Sequence, residues 1–323
     1  MIALLAALQR NLVYAIPVAM AVGLAGGGLL FDAAPLKRFI VPVTFLMVYP
    51  MMATLNVRAV LRGDDTRLQV TTQLVNFVAV PLLAWGLGRA FLGGDDPRHG
   101  LWAVGLFLIG VLPASGMTIS WTGFAGGNKE AATRMLVLGL VLGALAAPVY
   151  TRVFMGAVVA VDMLHMFRQI LLFVFAPLAA GLLTQAWLRR RHGDEAWRVR
   201  FAPAFPPFSA VGVVLIAFLA MALKARSIVA DPGSLAVIAV PLVLFYLLNY
   251  ALLTLLGRAL FRYEDAVAMV FGVVMRDLSI ALAIALTAFG REGATIALLI
   301  ALAYVVQIQS AAWYVRFAGR GRP

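Results

Sequence analysis

The 323-residue chain has no cysteine, only three histidines, and charged side chains at just 12% of its positions. Without a thiol there is no disulfide, no thiolate metal site and no thiol nucleophile. His99, His165 and His192 are scattered, and none falls in an H-x3-H or H-E-x-x-H spacing, so neither a metal nor a cofactor is expected. Acidic pairs are as uninformative: Asp64-Asp65 and Asp95-Asp96 lie beside glycine, belong to no D-D-x-x-D pattern, and read as solvated turns rather than an enzyme's metal ligands. The shortage of charge also excludes a soluble domain. At 63% hydrophobic residues and a mean hydropathy of +0.97, too little polar side chain is present to cover a water-facing surface.

What the chain does have is apolar runs of spanning length. A helix needs about 20 apolar residues to cross a hydrocarbon core of roughly 30 Å. Ten such runs are read, at 11–31, 38–57, 68–92, 101–126, 130–157, 163–187, 205–223, 234–260, 264–289 and 292–316. The first is not a cleavable signal, because it is of spanning length and no A-x-A site follows it. The fold class is therefore an all-α integral membrane protein with the lipid bilayer as its first partner. The net charge of +12 follows the loops: sixteen basic residues fall on the side holding both termini, nine on the other, and Arg276 alone lies within a span. Lys and Arg gather in cytoplasmic loops, which places both termini in the cytoplasm, the chain in the inner (plasma) membrane, and "RRRHGDEAWRVR" in a solvated cytoplasmic loop. No nucleic-acid partner is expected.

One frame is written twice. "GVLPASGMTISWTGFAGGNKEAAT" (Gly110–Thr133) and "GVVMRDLSIALAIALTAFGREGAT" (Gly272–Thr295) stand 162 residues apart, and "KRF" at Lys37–Phe39 falls on "VRF" at Val199–Phe201 by the same offset. Five spans precede the middle loop and five follow it, so the halves (1–157 and 163–323) enter the membrane in opposite senses. Inverted repeats with interrupted helices near the midplane are the mark of secondary transporters. The interruptions are expected in the fourth and ninth spans. Pro113 removes an N–H and Gly116 permits an unwound peptide, while Ser115, Thr118 and Thr122 add hydroxyls around them. At the matching depth of the ninth span stand Arg276 and Asp277, ionisable groups costly enough in a bilayer to mark a pathway, though interhelical glue would also hold them there. Neighbours on a helix point about 100° apart, so local unwinding is expected, with Arg276 directed at a cavity and Asp277 capping or facing the fourth span. Asn76 and Asn249, with Gln307 and Gln309, either line the pathway or bond between helices.

These residues resemble a known family. "PASGMTISWTGFAGGN" (Pro113–Asn128) is similar to the fourth-helix motif of the bile acid:sodium symporter and arsenite-efflux superfamily. "NFVAVPLLAW" (Asn76–Trp85) resembles its third-helix motif, and "LMVYPMMATLNVRAVL" (Leu46–Leu61) the second-helix motif of the arsenite branch. The resemblance implies a panel of the first, second, sixth and seventh helices. It also implies a core of the third to fifth and eighth to tenth, in which the broken fourth and ninth cross at the substrate site. Departures are as telling. Ala114 stands where the arsenite branch has cysteine, and Ser279 where it has glutamate. Thr118 and Ile119 replace the Ser-Asn pair that helps bind sodium in the other branch, and Gly272 and Arg276 replace its ninth-helix glutamate and glutamine. A fixed guanidinium takes a cation's place and favours an anion. The expected function is alternating-access transport of a small metalloid oxyanion or organic anion, independent of sodium, with Asp277 as the group that would couple protons. A sodium-coupled organic-anion symporter is the alternative; a channel or membrane enzyme is a remote one.

Overall fold

The computed structural model describes residues 7–8, 11–55, 65–113, 115, 117–159 and 162–319, and every regular element among them is helical. Gly116 and Ala114 lie outside the described residues, as do Asp64 and the loop arginines Arg10, Arg58, Arg62, Arg320 and Arg322. The first half contains α1 (Leu12–Ala25), α2 (Ile40–Ala53), α3 (Thr66–Phe91), α4 (Pro97–Val111), α5 (Met117–Phe124) and α6 (Lys129–Met155). The second contains α7 (Met163–Ile170, carried on to Ala196 by a wide turn), α8 (Pro206–Ala230), α9 (Gly233–Leu260), α10 (Tyr263–Val274), α11 (Leu278–Ala288) and α12 (Gly293–Gly319).

Seven helical stretches among the described residues are long and apolar enough to cross a bilayer, which makes this an integral membrane protein. The difference from the ten runs read in the sequence has a physical origin. The first run yields only a short apolar helix, Tyr14–Gly28, and the fourth is split into α4 and α5. The sixth and seventh runs are joined by helical turns on either side of a kink at Gly193 (φ 84°, ψ 163°), where one helix ends and the next begins within the stretch expected as a solvated loop. There Arg189 pairs with Asp194 at 3.4 Å and lies over the ring of Trp197, which is buried, while most of the other arginines remain exposed.

Helix ends are set by their caps. Asp96, Asn128 and Asp162 accept from the backbone N–H groups of Arg98, Ala131 and His165, opening α4, α6 and α7. Helices α1, α2, α7 and α8 pack mainly on one another, and α3 to α6 pack with α9 to α12. In the first group α2 is approached closely on two sides: a Cβ at Gly212 would stand 2.5 Å from the Met47 Cα, and one at Gly181 would stand 2.6 Å from the Ala53 nitrogen. Small residues let helix backbones meet where lipid gives no hydrophobic drive to do so.

Two outcomes follow. Gly212→Val should lower the melting temperature, at an overpacking cost of about 1–3 kcal/mol, whereas Gly86→Ala, whose added methyl meets nothing within 4 Å, should not. Equal melting of the two variants contradicts the close packing of α8 on α2. At the α4 end, Arg98 hydrogen-bonds Asp96 and also reaches Asp231 at 2.9 Å. The Arg98 guanidinium holds the Asp96 carboxyl down from its ordinary 3.8 to about 2, so this contact is complete above pH 3.8 and lost only as pH falls toward 2. Asp96→Asn should therefore melt below the wild type by the same margin at pH 8 and pH 5; a margin that shrinks between those values counts against the pairing.

Candidate functional site

The two interruptions lie against each other. α4 ends at Val111 and Leu112 leaves the helix at φ −99°, ψ 85°, as the residue before a proline must. α10 ends at Val274, and Met275 turns away at φ −75°, ψ 85° without any proline. The freed peptides then exchange hydrogen bonds: Ser115 N–H donates to the Met275 carbonyl at 3.0 Å, and Asp277 N–H to the Leu112 carbonyl at 3.1 Å. Pro113 is buried against α6, where Gly143 leaves room for its ring; a Cβ there would be 2.8 Å from the proline Cδ.

Arg276 holds this junction. It is 1% exposed, and its guanidinium is spent on protein oxygens. Nε donates to the Ile109 carbonyl at 2.8 Å, Nη1 to Asn76 Oδ1 at 2.6 Å and the Val273 carbonyl at 2.9 Å, and Nη2 to the Gly110 carbonyl. The last carbonyls of a helix have no partner within it and carry the negative end of its dipole. Arg276 meets that need for α4 and α10 together. This corrects the expectation that its side chain is aimed at a cavity: in an apolar interior three bare carbonyls and an amide are the stronger attraction.

Three other elements complete the bracket. Asn76 sits in a wide turn of α3, Val75–Ala79, and also reaches the Gly272 carbonyl at 3.4 Å. Gln307 of α12 accepts the Arg276 N–H at 2.9 Å and donates to the Arg276 carbonyl at 3.2 Å. The same Gln307 oxygen accepts from the Tyr246 hydroxyl of α9 at 2.8 Å. Gln307 was indistinguishable in sequence from Gln309, which lines a different cavity, and Tyr246 carried no signal at all.

The opposite charge occupies the opposite helix ends. Asp277 does not pair with Arg276; its Oδ1 caps α11 by accepting from Ile280 N–H at 3.1 Å. Its Oδ2 is buried and has no hydrogen-bond partner among the described residues. Ser115 caps α5, accepting from Met117 N–H at 3.3 Å. Thr118 and Thr122 follow on α5, both buried with hydroxyls that have no partner among the described residues. Ser279 bonds the Tyr304 hydroxyl at 3.0 Å, and that hydroxyl lies 4.0 Å from the Met47 sulfur of α2. Asn249 is not brought in, since it donates back to Phe245 on its own helix at 2.7 Å. Among the described residues no group of three or more His, Asp or Glu is placed to hold a metal.

Unwound peptides buried between the helices of a many-helix membrane protein are a recurrent feature of secondary transporters. The chain belongs to the Sodium Bile acid symporter family, which it matches over residues 41–231, more than half its length. It is 23% identical to an uncharacterized transporter of Synechocystis over 93% of this chain and 86% of the relative. It is 24% identical to the arsenical-resistance protein Acr3 of Corynebacterium glutamicum, over 77% of this chain and 70% of the relative. It is 22% identical to the Acr3 of Alkaliphilus metalliredigens, over 97% and 93%. The protein is thus a membrane transporter and not an enzyme.

Substitution should separate the two charges. Arg276→Gln bares the Ile109, Gly110 and Val273 carbonyls, at about 1–3 kcal/mol for each buried group left unpaired, and should melt well below the wild type. Asp277→Asn keeps a residue that caps a helix almost as well and should melt near it. If Arg276→Gln retains the wild-type melting temperature, the guanidinium is not what holds the helix ends.

Proposed function

We propose that the chain is a ten-span carrier of two inverted five-helix repeats that moves a small metalloid oxyanion or organic anion by alternating access, without sodium. The observation that carries this reading is the guanidinium of Arg276 among four acceptor oxygens. A coupling cation would be drawn to those same oxygens, and a fixed charge that never leaves removes the need for one. The resident positive charge also favours an anion nearby. The relatives named as arsenical-resistance proteins support a metalloid oxyanion as one member of the substrate class.

In this reading α1, α2, α7 and α8 form the panel and the remaining helices the core. Hydrogen bonds between the two groups support a crevice closed on the side away from the termini. Lys224 Nζ meets Thr295 Oγ1 at 2.7 Å, and the His165 ring nitrogen Nε2 lies 3.2 Å from the Thr287 carbonyl. On the other side α5 presents Phe124 at 68% exposure. The pathway residues are Ser115, Gly116, Thr118, Thr122, Ser279 and Asp277, with Pro113, Asn76 and Arg276 as the frame. Asp277 is the proton-carrying group, because its carboxyl oxygen Oδ2, without a partner among the described residues, is buried beside the junction. The excess of basic residues toward the termini supports a plasma-membrane carrier with both ends in the cytoplasm.

The test is flux into proteoliposomes, with arsenite and small carboxylates as the offered substrates. Exchange of sodium for choline at constant pH should leave the rate unchanged. Imposing a pH gradient should change it, and Asp277→Asn should flatten that response while binding persists. A rate that collapses in choline would establish the second reading, a sodium-coupled organic-anion symporter, which the family's description favours.

A further inference from the structure

Away from the junction, between α9 and α12, lies a cavity of about 490 Å³, a size within the roughly 300–1,000 Å³ of ligand pockets. Its mouth is framed by Leu247, Trp313 and Phe317, exposed at 59%, 70% and 63%. Both helices are apolar and of spanning length, so this mouth opens sideways into the bilayer rather than into water. Polar groups stand on the buried part of the wall. The Tyr250 hydroxyl is buried beside the Ser310 hydroxyl, which itself donates to the Gln307 carbonyl at 3.1 Å.

The end of the cavity is basic. Arg316, next to Phe317, lies in the last turn of α12, and Arg258, two turns beyond Tyr250, lies in the last turn of α9. Both are exposed, and neither is in an ion pair among the described residues. A second cavity, of about 540 Å³, is lined by Trp85, Gly88 and Met155. Leu247, Tyr250 and Phe317 stand 162 residues after those three, the offset of the repeated frame. Only the second copy places a phenol on the wall. Its back wall is also connected to the junction, because Tyr246 lines the cavity and donates to the Gln307 oxygen that holds the Arg276 backbone.

We propose that the α9–α12 cavity binds an anionic phospholipid of the bilayer. One acyl chain fills the apolar groove, a carbonyl oxygen accepts from the Tyr250 hydroxyl, and the phosphate lies on Arg258 and Arg316. The bound chain packs against Tyr246 and braces the Gln307–Arg276 bracket, so that anionic lipid raises the transport rate. This regulatory half rests on the transport reading above; the binding half does not.

Native mass spectrometry of the purified full chain, offered phosphatidylglycerol and phosphatidylcholine with identical acyl chains, tests the binding half. The wild type should retain phosphatidylglycerol about tenfold over phosphatidylcholine, the size expected of one or two arginines against an anionic headgroup. Arg258→Gln with Arg316→Gln should abolish that preference but still bind lipid, and Val306→Trp, which fills the groove, should lower retention of both. Glycerol phosphate added in excess should not compete, because it lacks the acyl chain. Equal retention of the two lipids by the wild type overturns the proposal, as does undiminished retention of both lipids by a Val306→Trp variant that is monodisperse and melts normally. The regulatory half is read separately, as transport in liposomes of rising phosphatidylglycerol content. A wild-type rate that does not rise, in a preparation that does transport, overturns that half alone.

Discussion

A peptide group inside a hydrocarbon layer must find its hydrogen bond within the protein, and that constraint governs this molecule where two helices stop partway. Breaking α4 and α10 frees donors at the start of α5 and α11 and acceptors at the end of α4 and α10. The structure answers with reciprocal bonds between the breaks, Ser115 to Met275 and Asp277 to Leu112, and with the guanidinium of Arg276 over the remaining carbonyls. Much of the surrounding sequence follows from this. The wide turn of α3 brings Asn76 to the guanidinium, Gly143 makes space for Pro113, and Gln307 brackets the unwound peptide from α12.

The charges are sorted by helix end. Arg276 lies where two helix C-termini converge, and Asp277 lies at one N-terminus, each favourable to the dipole it faces. Two adjacent residues of opposite sign therefore do not neutralise each other; they serve different helix ends across one unwound peptide. In the proposed mechanism this division matters. A permanent cation holds the frame, so the frame does not dissolve when a coupling ion departs, and the Asp277 carboxyl is left to respond to protons. Alternating access on that proposal has the second group of helices rock against the first, and the Lys224–Thr295 and His165–Thr287 contacts are among those that such a motion must break.

The sequence made some of this legible and hid the rest for definite reasons. Composition alone excluded a soluble fold, and Pro113 together with Arg276-Asp277 marked where helices would stop, because proline and buried charge are visible as side chains. The direction of Arg276 was not legible. Its partners at Ile109, Gly110 and Val273 are backbone carbonyls, which leave no trace in residue type. Asn249 and Asn76 look alike in sequence, yet one bonds to its own helix and the other to the junction, a difference set by a single wide turn. The stretch after Leu188 is basic and polar, which suits a loop. It forms helical turns on both sides of a kink at Gly193 (φ 84°), with Trp197 buried and Arg189 reaching from Asp194 to that ring across the turn.

A single-particle density map of the protein in a lipid nanodisc tests the central claim most directly. The account predicts that both helices are interrupted, after Val111 and after Val274, and that the Arg276 side chain lies against the Ile109, Gly110 and Val273 carbonyls and Asn76. A map with either helix continuous through its break, or with the guanidinium turned away into an aqueous crevice, would contradict it.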